Sequence, residues 1–121
     1  MQERRKHRRL PVSYYLQVTD GRTQEIVGHL LDITPRGIMI DAKAPLPIGK
    51  NYHLRVETTA DISDTSFIEF IARGVWCKPD AIEPYLYDIG LEIMNITPHD
   101  ASIIRRIMES YGLGGGSTKL L

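Results

Sequence analysis

Short apolar–polar alternations, broken by turn signals, dominate the chain until its last quarter. Tyr14, Leu16 and Val18 alternate with Tyr15 and Gln17. Tyr52, Leu54 and Val56 share one side of the segment Asn51 to Thr58, and Tyr87, Ile89, Leu91 and Ile93 share one side of Tyr85 to Met94. A period of two is the mark of a half-buried strand. Ile26 to Ile33, Gly37 to Ala42 and Phe67 to Lys78 add three more candidate strands, and Gly74 signals a bulge or a close backbone approach within the last of these. Asp20-Gly21-Arg22 reads as a turn. Ala44-Pro45-Leu46-Pro47-Ile48-Gly49 must be a loop, because two prolines cannot join a ladder. Pro79 to Pro84 reads as another loop.

The pattern then changes period. Thr97-Pro98-His99-Asp100 predicts a helix start, with Thr97 as N-cap and Pro98 at the first helical position. Ile104, Ile107, Met108 and Tyr111 fall on one helical face, and Gly112 ends the helix. About six strands followed by one helix predict a mostly β chain, a closed or nearly closed barrel with the helix packed on it. A length of 121 residues fits one domain, and 42% hydrophobic residues suffice for a core. No apolar run approaches the roughly 18 residues of a spanning helix. Membrane insertion is not expected, and no signal-peptide core follows the basic N-terminus. A single cysteine, Cys77, excludes an internal disulfide. A cytoplasmic protein is the expectation.

Charge is distributed unevenly. Residues up to Arg9 hold five of the fifteen Lys and Arg but only one of the fifteen acids, Glu3. The net charge of +0 therefore hides a basic arm joined to an acidic remainder, which points to an anionic partner. A solvated tail is the plainer account of such an arm. A second stretch, Asp32-Ile33-Thr34-Pro35-Arg36-Gly37, tips the balance. Thr34-Pro35-Arg36-Gly37 fits a type I turn. As well as making a hairpin, it would bring a carboxylate, a hydroxyl and a guanidinium together, with Gly37 leaving the backbone open. Such a set suits a nucleotide, because Asp can accept from the guanine Watson–Crick edge and Arg can donate twice to guanine O6 and N7.

Arg5-Lys6-His7-Arg8-Arg9 reads as R-x-x-x-R, and Asp32 to Gly37 as D-x-T-x-x-G. In this order and at this separation the pair resembles the PilZ domain family, over roughly residues 3 to 110. Leu10-Pro11-Val12, Val75-Trp76 and Gly90-Leu91-Glu92-Ile93 extend the likeness. The resemblance implies a six-stranded antiparallel PilZ-type β-barrel with a C-terminal α-helix. It also implies a bacterial, cytoplasmic receptor for the second messenger cyclic di-GMP. By position, Arg5 and Arg9 match the motif arginines, with Arg4 and Arg8 as a second frame. Asp32, Thr34 and Gly37 match the second motif. The family usually has Ser at the Thr34 position. Arg36 and Trp76 complete the expected contacts.

The implied organisation is an arm over residues 1–11, a barrel and helix over 12–111, and a disordered Gly-rich tail over 112–121. No enzyme activity, no cofactor other than the ligand and no metal are expected. His7, His29, His53 and His99 lack metal spacing, and Gly114 to Lys119 lacks the order of a phosphate loop. The expected partners are cyclic di-GMP and an unidentified downstream protein, with the chain a monomer or homodimer. One alternative is a ligand-blind interaction module of the same family. A nucleic-acid-binding barrel is the other, and both the acidic body and the lack of an aromatic-rich strand argue against it.

Overall fold

The computed structural model describes residues 16–113. Six strands close into an antiparallel barrel: β1 (Gln17–Asp20), β2 (Ile26–Thr34), β3 (Gly37–Ala42), β4 (Asn51–Glu57), β5 (Phe67–Pro79) and β6 (Tyr87–Asn95). They run around it in the order β1-β2-β3-β6-β5-β4. One helix, α1 (Pro98–Tyr111), follows. Six strands, a barrel and a C-terminal helix are what the sequence predicts, and the barrel is the closed form of the two expected.

Inward positions supply the core. Val18, Leu30, Ile33, Ile38, Ile40, Leu54, Val56, Ile68, Phe70, Ile89 and Leu91 are all buried. Helix α1 adds Ile103, Ile104 and Ile107, so its buried stripe is one residue wider than the sequence pattern predicts. Met108 and Tyr111 lie half-buried at its margin. At the helix start, the Thr97 hydroxyl accepts from Asp100 N at 3.1 Å, and at the end Gly112 adopts φ 64°. Thr97→Ala should cost about 1 kcal/mol, read as a lower denaturant midpoint with an unchanged slope.

Turns are tied by short acids. Asp20 Oδ1 accepts from Arg22 N at 2.7 Å and Thr23 N at 3.0 Å. Those amides, Thr23 first, hold its carboxyl below the usual range. Asp80 Oδ1 accepts from Ile82 N at 2.8 Å and Glu83 N at 3.0 Å, and Leu86 N closes back on Glu83 O at 2.9 Å. This turn takes Tyr85 and Leu86 out of the last strand, which begins at Tyr87 rather than Tyr85. The Gly74 expectation holds in both forms. The β5–β6 register shifts between Gly74 and Trp76, and a Cβ on Gly74 would lie 2.9 Å from Pro47 O.

Candidate functional site

The hairpin between β2 and β3 is tight. Thr34 pairs with Gly37, leaving Pro35 and Arg36 as the turn. Neither turn residue has a positive φ, which fits the expected type I turn and excludes type II. The Thr34 hydroxyl accepts from Arg36 N at 3.2 Å and Gly37 N at 3.3 Å. Arg36 O in turn accepts from Ile93 N at 2.9 Å, pinning the turn to β6. The exposed Arg36 side chain thus stands on an anchored backbone. Thr34→Ser should keep both amide bonds and melt as the parent does. Thr34→Val, which removes the acceptor, should cost about 1–3 kcal/mol by thermal melting.

Asp32 reaches its face through a bulge. The β2–β3 register shifts between Leu30 and Asp32, so Leu31 is an extra residue. Leu30 and Ile33 point into the core, while Leu31 packs in a separate cluster on the outer face. Strict alternation from Leu30 would send Asp32 inward; the bulge turns it outward with Thr34. Contrary to the expectation of a displayed carboxylate, Asp32 is only 6% exposed. Its Oδ1 accepts from Ile33 N at 2.9 Å. It is held against the sheet surface, whereas Arg36 is exposed.

Trp76 reaches the same face by the same device. Ile68, Phe70 and Ala72 point inward on β5. The shift between Gly74 and Trp76 breaks that run, so Trp76 turns outward and Cys77 packs at the core margin. Asp32 pairs with Met39, Met39 with Gly90, and Gly90 with Trp76. These four residues form one row across four adjacent strands, with about 14 Å between its ends. Leu31 and Met39, both buried, pack with half-buried Trp76. The structure therefore brings Asp32, Thr34, Arg36, Gly37 and Trp76 onto one side of the barrel. Sequence reasoning missed Leu31, Met39 and Gly90. The adjacent Leu30-Leu31 pair, which interrupts the alternation, was the available signal.

Arg4, Arg5, Arg8 and Arg9 lie outside the described residues, as does the tail beyond Leu113. Leu16, seven residues after Arg9, is the first residue described. Leu16 O accepts from Leu30 N at 2.8 Å, two positions along β2 from Asp32. Elsewhere, His53 Nε2 lies 2.8 Å from Glu69 Oε2, and His29 Nδ1 lies 3.5 Å from Asp41 Oδ1. Among the described residues no three metal-ligating side chains gather into a site. Nor, among them, is any helix long and apolar enough to cross a membrane.

The family model described as "PilZ domain" matches residues 3–110. The chain belongs to the PilZ domain family. This PilZ domain also matches a solved structure, "Structure of Bacillus subtilis Inhibitor of motility (MotI/DgrA)", with a TM-score of 0.65 and 15% identity. The match covers 79% of this chain and 46% of that one, so the PilZ domain spans less than half of that protein's length. At such identity the likeness is one of fold. Comparison with curated proteins gave no match.

Proposed function

We propose that this PilZ domain is a receptor for cyclic di-GMP, and that it is a non-catalytic adaptor presenting an altered surface to a partner protein when occupied. The observation that carries the reading is the place of Leu16 beside Asp32. Leu16 is bonded to Leu30, beside the bulge that turns Asp32 outward. Arg9 is seven residues before Leu16, a span of at most about 25 Å. A span of that length would let the R-x-x-x-R motif reach Asp32 and the residues that share its face.

The chemistry suits the ligand. Cyclic di-GMP presents two phosphates and two guanines. Arg5 and Arg9 would clamp phosphate or guanine through bidentate donation, with Arg4 and Arg8 beside them. Asp32 would accept from a guanine edge, and the anchored turn would hold Thr34, Arg36 and Gly37 against the ligand. The acidic remainder disfavours long polyanions, while the arm attracts a small one. The family's ligand implies a bacterial cytoplasmic setting.

Calorimetry tests the reading by titrating the full chain with cyclic di-GMP and, separately, with a random single-stranded oligonucleotide. Saturable heat with cyclic di-GMP alone is expected. Heat with neither would leave a ligand-blind interaction module, and tighter binding of the oligonucleotide would leave a nucleic-acid-binding barrel.

A further inference from the structure

Trp76 lies on the sheet in a particular way. A Cβ added to Gly90 would overlap the indole at Cε2 and Nε1 and sit 2.8 Å from Cζ2. Cε2 is set back between Nε1 and Cζ2, so this closeness means approach over the ring face rather than at its edge. The bare Cα of Gly90 therefore lets the indole lie flat. Leu31 and Met39 complete its bed. Because the sheet backbone closes the face toward Gly90, a cation over the ring takes the opposite face. The ammonium of exposed Lys78 stands over the ring, 5.4 Å from its centroid. Trp76 and Lys78 are two apart on β5 and project from the same side. Across on β6 their register partners are Gly90 and Asp88.

We propose that Lys78 is a ligand-binding residue that trades places with a guanine: the base stacks on the outer face of Trp76, and the displaced ammonium moves to the ligand's phosphate. The proposal rests on the cyclic di-GMP reading above and adds Lys78 as a contact and Gly90 as a positioning residue. Three features support it. A cation over an indole marks a face rich in π density, and that face also suits a stacked base. Lys78 has a flexible four-carbon stem, so its head can leave the ring while its backbone stays in the ladder. The platform also shares a row with Asp32, so one ligand resting on the sheet surface meets both ends. Without ligand, the ammonium keeps the platform covered. With ligand, one cation–π contact is exchanged for a stack and an ion pair.

The chain has a single tryptophan, so emission excited selectively at the red edge, where its six tyrosines do not absorb, reports on Trp76 alone. Cyclic di-GMP should quench or shift that emission with the same midpoint as the calorimetric heat. Lys78→Gln should alter the emission of the ligand-free protein, weaken binding about five-fold and flatten its salt dependence. Gly90→Ala should lift the indole and weaken binding about ten-fold or more, the scale of a lost base stack. Should Gly90→Ala fail to fold, Lys78→Gln still decides, because an exposed lysine does not support the core. Saturable heat with unchanged emission, or wild-type affinity in Lys78→Gln, would overturn the exchange and leave the receptor reading standing. No heat at all would overturn both.

Discussion

Replacing both Arg5 and Arg9 by alanine should abolish most of the affinity for cyclic di-GMP while leaving the melting temperature of the barrel unchanged. A hydrogen bond to a charged group contributes about 1.5–3 kcal/mol. Two such losses amount to roughly 3–6 kcal/mol, or more than about a hundred-fold in dissociation constant. The barrel should not register the change. Among the described residues the ladders run from Gln17 to Asn95 and close the barrel, and the core is built from strands and α1. Calorimetry on the double variant, beside a thermal melt, separates the two effects. Unchanged affinity would move the motif to the Arg4 and Arg8 frame. Lost affinity with a lowered melting temperature would mean that the arm is part of the folded barrel rather than a clamp. Arg4→Ala with Arg8→Ala is the natural comparison, and it should cost less.

The fold was legible wherever local chemistry decides the backbone. The Thr97 cap, Pro98 and Gly112 delimit α1 because each acts through its own dihedral or its own side-chain oxygen. The strand segments were legible because one face of each is buried. Closure was less so. The β1–β4 and β3–β6 pairings join segments far apart in sequence, and alternation says which face is buried but not which strand is adjacent. Tyr85 and Leu86 continue the alternation of β6, yet the Asp80 turn claims them. The candidate site was legible as residue types and spacing at Asp32, Thr34 and Gly37. Its arrangement was not. Asp32 and Trp76 face outward because of two bulges, and one inserted residue inverts every position beyond it. A flat indole over Gly90 depends on a cross-strand register that no single segment encodes.

Gly28→Ala should destabilise the barrel more than any other single methyl proposed for this chain, and Gly28→Val should destabilise it further. Gly28 lies on β2 between two partners, opposite Val18 on β1 and beside the end of β3. A Cβ there would overlap the carbonyl oxygen of Asp41, lie 2.9 Å from its carbonyl carbon and come within 3.4 Å of Ala42 Cα. All three obstacles are backbone, so no side-chain rotation relieves them. At Gly90 the obstacle is an indole at the barrel surface, which can tilt. Accommodation at Gly28 requires β2 and β3 to part at His29 and Asp41, where they are paired. Overpacking of this kind costs about 1–3 kcal/mol, and backbone obstruction places Gly28→Ala at the upper end. For a domain of this size that is a fall of about 10 °C or more in melting temperature. The same two strands carry Asp32 and Met39, so the affinity of the remaining folded protein for cyclic di-GMP should fall as well. A Gly28→Ala variant melting within about two degrees of the parent would show that the end of β3 yields freely. The β2–β3 pairing would then be too compliant to hold the row from Asp32 to Trp76 in register.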